Sequence, residues 1–303
     1  MRRITYFSPF LKSLAKYQPV WEQIQSVLEK ENELYEFVAN AKDIWVRDFM
    51  TFQRPDGEFV IYCYNPDYLQ GKNSKYITNC RNAFIEIGGS SALASNICHH
   101  TNLIIDGGNL IKCKDKNGTD CVIMTTKVIY ENAHLSHHEI LIELEDALNA
   151  EVILIPWDTE EKYGHSDGMV RSLGEGKVLL NCYSDFDINM GEAIRKSLEE
   201  RFEILELRYE EKYREKSWCH LNYLELKDII LVPVGNIASD HLALEQIEKF
   251  TGEKCIPIHM SKIIAEGGAM HCISWTMDID IIFENKLRFG HLKYKTVIEN
   301  LIK

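Results

Sequence analysis

Short apolar segments of strand length alternate with amphipathic helical stretches along this chain, and that alternation limits the fold more than any other feature. Residues 4–7 read as a first strand. Residues 20–39 read as a long helix with Val20, Trp21, Ile24, Val27 and Leu28 on one face. Strands follow at 44–46 and 59–64, a helix at 90–99, and short strands at 103–105 and 110–114. The turn Asp115-Lys116-Asn117-Gly118 leads into a partner strand at 121–124. Ser136-His137-His138-Glu139 has the form of a capping box opening a helix that runs to about Asn149. Further strands are expected at 151–156, 168–173, 178–181, 202–207, 229–234, 255–258 and 271–275, with helices at 188–201 and from Asp240 to Gly252. Strands, helix, strand, repeated at roughly 50–60 residues, describe an α/β chain in which a repeat architecture has to be considered. No Pro/Gly/Ser-rich linker divides it, so residues 1–303 read as a single domain.

Hydrophobic residues make up 45% of the chain, enough for a sizeable core. No stretch approaches the roughly 20 apolar residues of a membrane helix, and the basic start MRRITYFSPF has no apolar segment behind it. A membrane partner is therefore not expected. The 34 Lys and Arg against 46 Asp and Glu give a net charge of −12, which argues against a nucleic-acid partner and would suit a cationic substrate. The nine cysteines are odd in number and contain no C-x-x-C pair. Several lie in apolar runs, as in VIYCY and CVIM, so reduced, cytoplasmic usage is expected.

Four segments could do chemistry. Ile44-Trp45-Val46-Arg47-Asp48 puts a charged pair after an apolar strand: either a carboxylate facing a cleft, or a surface ion pair. Ile105-Asp106-Gly107-Gly108-Asn109-Leu110 allows close backbone approach, or simply a tight turn. In Tyr163-Gly164-His165-Ser166-Asp167-Gly168 an imidazole and a carboxylate lie two residues apart, on one face if the segment is extended. Ala265-Glu266-Gly267-Gly268-Ala269-Met270-His271-Cys272 turns sharply before a thiol that is either a nucleophile or a small buried side chain. His134-x-x-His137-His138 has metal-like spacing but crosses a helix start without a carboxylate or thiolate partner, and reads as solvated surface. Cys98-His99-His100 reads as a helix end running into a polar loop.

Taken in order, W-x-R-D, D-G-G-N, G-H-x-D and G-G-x-x-H-C resemble the agmatine deiminase and bacterial peptidylarginine deiminase family, which belongs to the guanidino-group modifying enzymes, or penteins. The matching stretches are 45–48, 103–122, 152–170 and 222–274, and residues 229–260 resemble the family's last strand–helix–strand unit. The resemblance implies a pentein α/β-propeller of five ββαβ-like units about a pseudo-fivefold axis, with the active site in its central channel. It implies Cys272 as nucleophile and His165 as acid and base. Asp48 and Asp167 would hold the guanidinium, with Trp45, Asp106, Asn109 and Gly268 also lining the substrate site. Cys272 and His165 would face opposite sides of the guanidinium plane. No metal or organic cofactor is implied, and homo-oligomerisation stays open.

The chain departs from the agmatine deiminase pattern at Tyr163, a usual glycine, at Gly168, a usual asparagine, at Asp106, a usual glutamate, and in the tail Ile273-Ser274-Trp275-Thr276. No arginine occurs in Tyr64-Asn65-Pro66-Asp67, where the bacterial peptidylarginine enzymes read a terminal carboxylate. The expected substrate is agmatine or a similar guanidino-alkylamine, a reaction feeding polyamine biosynthesis. The alternatives are peptidyl- or free-arginine hydrolysis, amidino transfer to an amine, and guanidino binding without turnover.

Overall fold

A computed structural model of the chain describes residues 2–89, 97–181, 183–185, 187–209 and 219–282. They form five three-stranded sheets of one connectivity, in a mixed α/β arrangement. Each sheet has an antiparallel pair followed by a crossover to a third strand, which lies parallel to the second.

The first sheet joins the two ends of the described chain. Its central strand β1 (Arg3–Phe7) crosses through helix α1 (Gln18–Lys30) to β2 (Leu34–Phe37). Its antiparallel partner, Ser274–Asp278, comes from the far end, pairing Arg3 with Asp278 and Phe7 with Ser274. The second sheet is β3 (Phe52–Gln53), β4 (Phe59–Cys63), α2 (Cys80–Phe84) and β5 (Cys98–Ile104). The third is β6 (Ile111–Lys114), β7 (Asp120–Thr125), α3 (His137–Leu148) and β8 (Glu151–Ile155). The fourth is β9 (Val170–Gly174), β10 (Lys177–Asn181), α4 (Ile188–Leu198) and β11 (Glu203–Leu207). The fifth is β12 (Leu224–Glu225), β13 (Ile229–Val234), α5 (Asp240–Thr251) and β14 (Lys254–His259); the returning strand Ser274–Asp278 is β15.

Central strands such as β13, Ile-Ile-Leu-Val-Pro-Val, are buried throughout, as expected of a middle strand covered on both faces. The crossover helices bury one stripe each: Val20, Trp21, Ile24 and Leu28 on α1, and Ile140, Leu144, Ala147 and Leu148 on α3. The capping box at α3 is present: Ser136 Oγ accepts from the Glu139 amide at 3.3 Å, and Glu139 Oε2 accepts from the Ser136 amide at 2.8 Å. Among the described residues, no helix is long and apolar enough to cross a membrane.

Several local expectations are corrected. The helix expected over 20–39 stops at Lys30, where Asn32 takes a positive φ of 55°, and Leu34–Phe37 is recruited as a strand by β1. Tertiary pairing overrides the helical period there. Residues 44–46 are not a strand: Asp43 Oδ1 accepts the Trp45 amide at 2.9 Å and starts the helical turn Val46–Phe49. Cys98–His100 opens β5 instead of ending a helix, while 90–96 lie outside the described residues. The strand expected over 271–275 begins at Ser274, so Cys272 sits on the turn before it.

Candidate active site

Each unit sends the segment just before its first hairpin strand toward one place. These segments are tight helical turns: Val46–Phe49 before β3, Gly107–Asn109 before β6, Ser166–Gly168 before β9, Cys219–Leu221 before β12, and the turn ahead of β15. A side chain carried there points off the strand end, as Asp48, His165, Asp167, Asn222 and Cys272 do.

Cys272 is 7% exposed. Its thiol lies 3.5 Å from Asp167 Oδ2, to which it donates. Its amide and that of His271 both donate to Asn222 Oδ1, at 3.2 and 3.0 Å. The Cys272 carbonyl accepts the Arg47 amide at 3.1 Å, tying the nucleophile's turn to the one that carries Asp48. Burial, and then the charges of Asp167 and Asp48, push the thiol well above its usual range. Without a bound cation the sulfur is a neutral thiol.

The His165 side chain is 8% exposed. Its Nε2 lies 2.8 Å from Asp106 Oδ2, and its Nδ1 lies 3.7 Å from Asp48 Oδ1. Burial alone would lower its pKa, but Asp48 and the Asp106 hydrogen bond outweigh that and raise it to about 9. The imidazole is therefore cationic at neutral pH. Asp48, 6% exposed, is raised to about 8 by burial against the pull of His165, with Asp106 and Asp167 adding repulsion. Asp167 stays below the ordinary carboxylate range because, against burial, it accepts from His271 Nδ1 at 2.7 Å. His271 itself is pushed to about 3 by burial and by Arg47 and Arg171, so it is a neutral donor.

Glycines let these groups meet. A Cβ on Gly108 would lie 2.6 Å from His165 Nδ1 and 2.8 Å from Asp48 Oδ1. One on Gly268 would lie 2.3 Å from the Trp45 ring, which packs directly on that glycine.

Two cavities of about 430 Å³ meet at Tyr163, His165, Gly267, Gly268 and Cys272. One also contains Asp158, Glu161 and Asp167. The other contains Trp45, Asp48, Tyr64 and Tyr68 and carries Lys16, Lys42 and Lys162.

The structure thus brings together Cys272, His165, Asp48, Asp167, Asp106, Trp45 and Gly268. It does not bring in Asn109, whose Oδ1 accepts the Thr125 amide at 2.8 Å and holds β7. Asp106 also differs from expectation: its Oδ2 serves His165 and, at 3.1 Å, the hydroxyl of Tyr68, so it orients the imidazole. His165 and Asp167 share a cavity through a tight turn, not through an extended segment. Sequence reasoning missed Asn222, His271 and Tyr68. Asn222 had one signal, its position just ahead of the fifth unit's hairpin.

The family profile described as Porphyromonas-type peptidyl-arginine deiminase matches residues 4–277. A curated Enterococcus faecalis protein provisionally named an agmatine deiminase is 24% identical over 212 residues, 56% of this chain and 56% of its own length. The match thus spans about half of that relative. Among solved structures, the agmatine deiminase of Enterococcus faecalis superposes with a TM-score of 0.68 at 16% identity, over 91% of this chain and 93% of its own. That of C. jejuni gives 0.65 at 16%, over 91% and 92%. An amidinotransferase of saxitoxin biosynthesis from Microseira wollei gives 0.58 at 14%, over 90% and 82%. At these identities the structural likeness carries the fold alone. The profile match covers most of the chain, and it follows that the protein belongs to the Porphyromonas-type peptidyl-arginine deiminase family.

Proposed function

We propose that this protein is a hydrolytic deiminase of a guanidino compound, working through a covalent intermediate on Cys272. The observation that carries this reading is a buried thiol at the junction of two cavities, sharing both with His165 and lying between the carboxylates of Asp167 and Asp48. A guanidinium is the planar cation that completes such a set, since its N–H fork matches two carboxylates. In this reading the five sheets are the blades of a pentein propeller about a pseudo-fivefold axis, and residues 1–303 are one catalytic domain.

Entry of the cation between Asp48 and Asp167 lowers the pKa of both Asp48 and the Cys272 thiol, whose protons pass to solvent water, so the substrate helps generate its own nucleophile. The thiolate attacks the guanidinium carbon. His165 gives a proton from the Nδ1 side, the side not held by Asp106, to the departing nitrogen, which leaves as ammonia. A thiouronium remains on sulfur. Neutral His165 then takes a proton from water, water attacks, and the ureido product leaves with the thiol restored. The steps call for no metal or organic cofactor.

The substrate favoured is a guanidino-alkylamine such as agmatine. The cavity with Asp158 and Glu161 offers negative charge to a terminal ammonium. A second reading, peptidyl- or free-arginine hydrolysis, draws on Lys16, Lys42 and Lys162 in the other cavity, which would favour a carboxylate. Incubation with agmatine, arginine and a peptide ending in arginine, with ammonia and ureido product measured and Cys272→Ala as control, decides between them. Ammonia release without any added amine separates hydrolysis from amidino transfer. Guanidino binding with no product from any substrate would sink the enzymatic reading.

A further inference from the structure

The first strands of the five hairpins line a third cavity, the rear cavity, of about 210 Å³, which His271 also lines. It contains none of Cys272, His165, Asp48 or Asp167. Four cationic side chains reach it, Arg3, Arg47, Lys112 and Arg171, against two carboxylates, Glu225 and Asp278. Asp278 is already committed: it lies 2.8 Å from Arg3 and 3.8 Å from Lys112. Glu225 forms an ion pair with Arg171 at 3.6 Å, and Arg171 rests on the Tyr223 ring at 4.5 Å. Arg47 has no carboxylate within ion-pair distance among the described residues. Its side chain makes one long contact, from Nε to the His271 carbonyl at 3.5 Å. Burial and the nearby charge of Arg171 lower its pKa to about 10, which still leaves it fully protonated at neutral pH.

Arg47 and Arg171 repel one another at this cavity, and Glu225 answers only Arg171, so among the described residues the charge of Arg47 is left without a paired carboxylate. We propose that this rear cavity binds a small oxyanion between Arg47 and Arg171, with Lys112 at the rim. Guanidinium N–H groups are laid out in a fork that takes two oxygens at once, which favours phosphate or a small carboxylate over a spherical halide. The space is adequate, since a water's share of liquid is about 30 Å³ and inorganic phosphate is the size of a few waters. Lys112, one-third exposed, leaves an entry path.

The test is calorimetric titration and thermal melting of the full chain with inorganic phosphate, formate and chloride, at constant ionic strength. It reads binding and not turnover, so its outcome is separate from the deiminase reading. Saturable binding of phosphate or formate, with a raised Tm and at least about tenfold tighter than chloride, is expected. Phosphate or formate responding alone identifies which oxyanion class the cavity takes. Affinity should fall at least about tenfold in Lys112→Gln and be lost in Arg171→Gln. If Arg171→Gln does not fold, Lys112→Gln decides. Absence of saturable oxyanion binding, equal binding of chloride, or unchanged affinity in Lys112→Gln would overturn the proposal.

Discussion

Asp167 Oδ2 stands 3.5 Å from the Cys272 sulfur and 2.7 Å from His271 Nδ1, so one carboxylate oxygen faces both the thiol and a neutral imidazole. The arrangement keeps Asp167 ionised and the thiol protonated until a cation arrives. Cys272→Ala should therefore lose turnover by at least about 10³-fold while retaining a guanidino ligand and its melting temperature. Product formation at near-normal rate in that variant, followed by ammonia release, would rule out covalent catalysis at this sulfur.

Asp106 acts through His165, so its loss should show in the proton chemistry more than in binding. Asp106→Asn should lower kcat about 10- to 100-fold, with a smaller change in KM, and move the alkaline limb of the rate profile downward as His165 loses its partner. A uniform fall in kcat with an unmoved alkaline limb would reduce Asp106 to a structural role.

The pH dependence of kcat/KM should be bell-shaped, because it reports groups of the free protein. The acid limb, near 8, follows ionisation of Asp48 to grip a cation. The alkaline limb, near 9, follows loss of the His165 proton needed by the leaving nitrogen. These two limbs belong to the coupled pair and not to either residue alone. A flat profile between pH 6 and pH 10 would contradict it.

Gly108→Ala places a methyl 2.6 Å from His165 Nδ1 and 2.8 Å from Asp48 Oδ1, so one of the two must move. Turnover should fall by about 10²-fold or more, since small misplacements of reacting groups are costly. Steady-state kinetics beside a thermal melt would check this; unaltered activity would mean the loop yields without disturbing the pair.

A buried pair outside the site sets a stability prediction. His220 is fully buried, with Nε2 2.8 Å from Asp240 Oδ1. Burial would lower its pKa, but Asp240 and Cys219 raise it to about 9. A raised folded pKa means the contribution is complete below the unfolded value of about 6.5 and is lost as pH rises through about 9. The Tm gap between the wild type and Asp240→Asn should thus be widest near pH 6 and narrow by pH 9.5. A gap that widens with pH would show that the pair is not charged.

How much of this was legible beforehand varies by element. The hydrophobic period announced β13, α3 and the antiparallel pair across 174–176 almost at their final bounds, because their burial pattern is local. Residues 34–37 were misread as helix because their strand identity comes from β1, a neighbour that a local window does not contain.

By itself, the order of short motifs determined the family, the candidate nucleophile Cys272 and its companions His165, Asp48 and Asp167, since each needs a particular side chain beside a permissive backbone. Only the tertiary structure decided which groups meet. It gave Asp106 to His165, withdrew Asn109 into a backbone contact with Thr125, and brought Asn222 to the amide of Cys272. It also left Arg47 facing a rear cavity with, among the described residues, no carboxylate within ion-pair distance of it. The physical reason is that burial and pairing across five separate units set charge state and orientation, and neither is a property of a residue's neighbours in sequence.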